Sequence, residues 1–112
     1  MARGDVLLVR LPSTGKREQS GKRPAVAVQT DIKGEPMLII APVTSNLKAL
    51  RFAFTVKVEP SPDNGLTSAS AVMVFQLRAI DKERILRKIG RISESDMARI
   101  DAEIWRMLKP AD

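Results

Sequence analysis

No unbroken apolar run in this chain of 112 residues exceeds five positions, the longest being Met37 to Ala41 and Ala71 to Phe75. A helix crossing a bilayer needs about 18 or more apolar residues, so no membrane span is predicted. Runs this short, rich in Val, Ile and Leu and separated by Gly, Pro, Asn and Ser, are the pattern of β-strands linked by turns.

Six segments read as strands: Asp5 to Leu11, Pro24 to Gln29, Met37 to Ala41, Phe52 to Val58, Ser70 to Ile80 and Ile85 to Ile92. Pro24 lacks an N–H and suits only the start of its strand or an edge. The run at 37–41 is continuous, which predicts a central strand buried on both faces. Pro12 to Lys22 is polar and reads as a long loop, of a length more often functional than not. Asp31 to Gly34 and Pro60 to Gly65 read as turns, with Asn64-Gly65 suited to a positive φ. Asp81 to Arg84 reads as a turn or a single helical turn.

One helix is predicted, opening at Ser93. The Ser93 side chain can cap the helix, and Asp96 stands where a capping box places its acid. Met97, Ile100, Ile104, Met107 and Leu108 fall on one face, Trp105 is expected to pack beside them, and Pro110 marks the end. The expected architecture is one domain over residues 1–112, mainly β, ending in an amphipathic helix.

The chain has no Cys and no His. Disulfides, thiolate chemistry, the usual general base and the commonest zinc ligand are thereby excluded. The acids of the first half are isolated, with no metal-cage spacing, and no Gly-rich phosphate loop precedes a helix. No cofactor and no metal are expected. Net charge is +6. Residues 1–60 hold ten Lys and Arg against five acids, while residues 61–112 hold nine against eight, so the excess lies in the first half. That bias suits a polyanionic partner. The N-terminus shows no apolar signal-peptide block, and a cytoplasmic location is expected.

Arg, Lys and hydroxyl side chains remain as the candidates for chemistry. Arg23 precedes Pro24, which biases it toward extended backbone where the loop becomes a strand. A guanidinium held there presents a planar donor fork suited to a phosphodiester. Thr44 and Ser45 follow Pro42-Val43, where hydroxyls also commonly cap turn amides.

These residues carry a resemblance. Arg3-Gly4-Asp5-Val6, then Glu18 to Val26 (Glu-Gln-Ser-Gly-Lys-Arg-Pro-Ala-Val), then Ala41-Pro42-Val43-Thr44-Ser45 stand in order along the chain. Gly65-Leu66 with Ser70, Gln76 to Lys82, and Ile89-Gly90-Arg91-Ile92 follow. Together they resemble the MazF/PemK toxins of bacterial type II toxin–antitoxin systems over nearly the whole sequence. The resemblance implies a small SH3-like, CcdB-like β-barrel of about five to seven strands with a C-terminal helix, forming a homodimer. It implies a ribosome-independent, sequence-specific, metal-independent endoribonuclease acting on single-stranded RNA, chiefly mRNA, and a cognate antitoxin that blocks the RNA groove. It assigns the catalytic pair to Arg23 and Thr44.

Those residue types are adequate for the implied reaction. RNA can be cut by its own 2′-hydroxyl, so a protein nucleophile is not required. Arg23 suits the charge developing on the phosphorane, and Thr44 suits an orienting hydroxyl. Glu18 and Ser45 are possible auxiliaries, Glu18 being the nearby carboxylate able to carry a proton. Lys16, Arg17, Gln19, Ser20, Lys22, Asn46, Gln76 and Arg78 are the candidates for RNA contacts. Aromatic residues are scarce, which limits stacking platforms. Two alternatives stay open: a CcdB-like toxin that inhibits gyrase, and a catalytically weak RNA-binding relative.

Overall fold

In the computed structural model, residues 1–12 and 21–111 are described. They form β1 (Asp5–Leu11), β2 (Gly21–Ala27), β3 (Met37–Thr44), β4 (Thr55–Val58), β5 (Ser70–Met73), β6 (Arg78–Asp81), β7 (Ile85–Arg91) and α1 (Glu94–Leu108). The strands make one seven-stranded sheet in the order β4-β5-β3-β2-β1-β7, with β6 also paired to β3. Every pairing is antiparallel. The mainly β class with a C-terminal helix is as expected. No pairing joins β4 to β7 among the described residues, so the ladder is open rather than a closed barrel.

Two-residue periodicity sorts the core. Val26, Ala41 and Val43 point into a cluster with Ile92, Met97 and Ile100, while Ala25, Ala27, Leu38 and Ile40 join Leu7 and Val9 in a second one. Neighbouring residues of β2 and β3 thus serve opposite faces, as a pleated strand requires. The expectation for β3 holds only in part. Met37 and Ile39 are exposed, and continuous burial begins at Ile40 and runs to Thr44.

Three other boundaries differ from the sequence reading. Ser70 to Ile80 is not one strand: a 3₁₀ turn at Val74–Gln76 divides β5 from β6. Between the pairs Ile40↔Arg78 and Val43↔Val72, β3 supplies two residues and the facing chain five. The turn absorbs the excess, and a run apolar on both sides gave no sign of it. Phe52 to Phe54 are likewise outside β4, because Phe54 takes φ 61 and turns the chain. Ahead of them Leu47–Arg51 forms a 3₁₀ turn capped by Asn46. Finally, β2 starts at Gly21, which leaves Pro24 inside it. Its pairing with β3 ends at Ala25↔Pro42, so on that side Pro24 lies beyond the last paired residue and behaves as at an edge.

The helix begins as predicted, the Ser93 hydroxyl accepting from the Asp96 N–H at 3.1 Å. Met97 and Ile100 are buried, and Ile104 and Met107 pack on the same cluster. Trp105 is not packed; it is 67% exposed, as Leu108 is 63% exposed. One step past Ile104 rotates a side chain by about 100°, which takes Trp105 off the buried stripe. Arg3 ties α1 to the sheet, its Nε donating to the Val28 carbonyl at 2.9 Å and its guanidinium pairing with Asp101.

Two residues on, Asp5 anchors a polar clamp. Asp5, 2% exposed, accepts from the Ala2 N–H at 2.7 Å and pairs with Arg91 at 3.0 Å and Lys88 at 3.2 Å. Burial works against its ionisation, but the Ala2 hydrogen bond and the two cations outweigh that and hold its pKa below the ordinary value. Beside it, Asn64 is buried and its side chain bonds Glu59, Ser61 and Leu66, closing the turn between β4 and β5. That turn presses on β7: a Cβ at Gly65 (φ +71) would meet the Ile89 carbonyl oxygen at 2.1 Å, and one at Gly90 would meet the Asn64 backbone at 2.3 Å.

Candidate active site

Pro24 and Pro42 stand where the β2–β3 ladder stops. Neither can donate a hydrogen bond, and the ladder's final pair is Ala25↔Pro42. Arg23 lies two residues before that pair on β2, and Thr44 two residues after it on β3. The two residues singled out by sequence therefore sit at the same end of adjacent strands.

Two neighbouring clefts open there. The smaller, about 310 Å³, is lined by Lys22, Arg23, Ser45, Thr67, Ser68 and Ser70, with apolar walls from Val43, Leu66 and Ile89. The larger, about 670 Å³, takes Thr44, Asn46 and Gln76 together with Lys48, Arg51, Phe52 and Phe75. Consecutive residues Thr44 and Ser45 thus divide between the two. Lys22, Arg23, Lys48 and Arg51 line these clefts, and among the described residues neither lining contains a carboxylate. Cations gathered on the walls of two clefts favour a polyanion there.

Thr44 is nearly buried at the end of β3. Its Oγ1 accepts from the Asn46 N–H at 3.1 Å, and the Asn46 Oδ1 accepts from the Lys48 N–H at 3.1 Å. The hydroxyl thus does cap the turn, and that bond fixes its position while leaving its own proton free to be donated. Arg23 is half-buried and engaged within the protein. On the smaller cleft's far wall, the clamped Asn64-Gly65 turn delivers Leu66, Thr67 and Ser68.

A family model described as PemK-like, MazF-like toxin of type II toxin-antitoxin system matches residues 2–108. This chain belongs to that family. An Endoribonuclease MazF of Staphylococcus epidermidis is 34% identical over 101 residues, covering 88% of this chain and 83% of that protein. A crystal structure of MazF from Deinococcus radiodurans superposes with a TM-score of 0.80 at 19% identity, covering 98% of this chain and 97% of the other. A mycobacterial endoribonuclease in complex with its cognate antitoxin matches at 0.75 and 19%, covering 100% and 99%. Mainly β architecture with the C-terminal helix is therefore the MazF fold.

Within this MazF/PemK-family chain, the remaining sequence candidates distribute unevenly. Lys22 and Ser45 line the smaller cleft; Asn46 and Gln76 line the larger. Arg78 lies on β6 opposite Ile40, half-buried, and lines neither. Lys16, Arg17, Glu18, Gln19 and Ser20 lie outside the described residues. Sequence reasoning missed Lys48, Arg51, Thr67 and Ser68, and undervalued Phe52 and Phe75. The signal was present in Asn46 to Phe52: an Asx cap followed by two cations and an aromatic, directly after the hydroxyl pair. Among the described residues no cluster of acids could hold a metal ion, and no helix is long and apolar enough to cross a membrane.

Proposed function

We propose that this toxin is a ribosome-independent endoribonuclease that cuts single-stranded RNA, chiefly mRNA, at preferred sequences through the RNA's own 2′-hydroxyl. The observation carrying this reading is the placement of Arg23 and Thr44 at the same end of the β2–β3 ladder, each lining one of two neighbouring clefts that hold cations and, among the described residues, no carboxylate. Unpaired bases fit such an open surface, which a duplex would not reach with its base edges.

In the proposed mechanism the backbone lies across both clefts with the scissile phosphate between Arg23 and Thr44. The 2′-oxygen attacks phosphorus, its proton passing to water, and the phosphorus–5′-oxygen bond breaks as the leaving oxygen takes up a proton. The products are a 2′,3′-cyclic phosphate and a 5′-hydroxyl. Arg23 stabilises the charge on the equatorial oxygens of the phosphorane. Thr44, held by Asn46, donates to a phosphate oxygen or aligns the 2′-hydroxyl. Ser45 and Lys22 assist in the smaller cleft, and Lys16, Arg17, Glu18, Gln19 and Ser20 are proposed to border the same groove. No metal takes part. One domain working as a cytoplasmic homodimer, held by a cognate antitoxin, completes the reading. Structures of related fold solved with antitoxins, and the exposed Trp105 and Leu108 at the helix end, support those partners.

The test is cleavage of a long unstructured RNA in chelator. Arg23→Ala should lose about 10²–10³ in rate while keeping the parental melting curve. Cutting by that variant at the parental rate would overturn the assignment, and a parent inert on every RNA would overturn the nuclease reading.

A further inference from the structure

Two of the chain's four aromatic residues, Phe52 and Phe75, line the larger cleft, while Phe54 packs against the core. Phe52 is 49% exposed, and its ring lies 5.4 Å from that of Phe75 at a tilt of 46°. The Arg51 guanidinium stands 5.1 Å from the centre of the Phe52 ring. Phe54, just behind, holds φ 61, a conformation costly for a bulky side chain. Its carbonyl accepts from the Phe75 N–H at 3.2 Å, and the Phe52 carbonyl accepts from the Thr55 hydroxyl at 3.0 Å. The strained bend thus fixes both rings at the rim of the cleft that Thr44 lines.

We propose that this cleft is a nucleobase pocket that selects a keto base, uracil or guanine, next to the cut site. The proposal rests on the ribonuclease reading and adds what one part of its groove recognises. Phe52 supplies a preordered stacking face, and every base has a π-face to lay on it. The polar lining then decides which base. Lys48 and Arg51 are obligate donors, and Asn46, whose Oδ1 already accepts from the Lys48 N–H, carries a further donor in its amide NH₂. Among the described residues no carboxylate lines the pocket to receive an exocyclic amino group. A donor-rich edge matches the carbonyl of uracil or guanine and opposes the amino group at the same place on cytosine or adenine. The volume of about 670 Å³ accommodates a nucleotide, and adjacency to Thr44 places that nucleotide beside the scissile phosphate.

Uridine and cytidine differ at this edge and little elsewhere, so the probe is a pair of fluorescein-labelled 2′-O-methyl heptamers, oligouridylate and oligocytidylate, which cannot be cut. Binding is followed by anisotropy with the full chain. Oligouridylate should bind about tenfold more tightly. Phe52→Ala should weaken both by roughly tenfold or more, with Phe52→Tyr restoring them. The double variant K48Q/R51Q should erase the difference while keeping the stacking gain. Equal binding of the two heptamers, or unchanged binding by Phe52→Ala with its melting curve intact, overturns the pocket. Cleavage of 2′-hydroxyl RNA is scored in parallel. Cutting with no uridine-over-cytidine preference sinks the pocket and leaves the nuclease reading. Selective binding without any cutting supports the pocket and sinks the nuclease reading.

Discussion

Two regions of this molecule use the same residue types to opposite purposes. At the clamp, Asp5 is matched by the Ala2 N–H, Lys88 and Arg91, and the Asn64 side chain is fully engaged by its own turn. At the clefts, Lys48 and Arg51 make no ion pair among the described residues, and Ser45, Thr67 and Ser68 line the smaller cleft beside Lys22. A buried charge satisfied from inside holds chains together; a cation left without an internal acid waits for an anion from outside. The two regions are linked, because the turn that Asn64 closes also carries Leu66 to Ser68 into the cleft wall.

That linkage can be broken most severely at its glycines. Gly65→Ala places a methyl 2.1 Å from the Ile89 carbonyl oxygen and also strains a φ of +71. Backbone cannot yield as a side-chain tip can, so the loss of stability is expected at about 3 kcal/mol or more. Gly90→Ala meets the same turn from the other side. Urea denaturation checks both. A parental midpoint for Gly65→Ala would show that the turn does not bear on β7.

At the cleft, Thr44→Val keeps shape and removes the hydroxyl, and Thr44→Ser keeps the hydroxyl. The valine variant should cut about 10²-fold more slowly and be less stable by about 1 kcal/mol without the Asn46 hydrogen bond. The serine variant should retain most activity. Equal rates for the two would reduce Thr44 to a turn cap, and the contrast between the regions would narrow accordingly.

The clamp has a pH signature. Because the Asp5 pKa is lowered in the folded state, its contribution is complete above the ordinary Asp value of about 3.9. It is lost as pH falls through the lower folded value. Asp5→Asn should cost about 1–2 kcal/mol at neutral pH, since Lys88 and Arg91 are themselves half-exposed. Its stability should also fall less steeply below pH about 4 than the parent's. Parallel acid limbs in the two melting profiles would remove Asp5 as the source.

How much of this could be read from the sequence follows from which forces are local. Short runs of branched apolar residues located β1 and most of β3, and capping chemistry located α1, because both depend on neighbouring residues. The bends at Val74–Gln76 and Phe52–Phe54 were hidden inside apolar runs. The first arises from how many residues the facing strand provides, which is a tertiary quantity. The same cause concealed the larger cleft. Thr44 and Asn46 were legible as a hydroxyl turn, but Phe52 and Phe75 stand far apart in the chain, and only the strained Phe54 brings their rings together. Trp105 failed for a simpler reason, since one step along a helix turns a side chain out of the stripe.

The smallest expected effect compares the regions most directly, by removing one positive charge from each. Lys48→Gln in the cleft should leave thermal stability unchanged, for Lys48 has no carboxylate partner among the described residues. Each cation withdrawn from the phosphates of a single strand reduces the slope of log affinity against log salt by about 0.7. That is the change expected for Lys48→Gln, and the double variant K48Q/R51Q should show roughly twice as much. Arg91→Gln at the clamp removes the same charge beside Asp5. It should lower the melting temperature by a few degrees, consistent with about 0.5–1 kcal/mol for a half-exposed pair, and leave the salt slope alone. Measuring both properties on both variants crosses the comparison. If Arg91→Gln changed the salt slope as much as Lys48→Gln, the positive surface would be continuous around the molecule, and RNA would have no reason to choose the clefts.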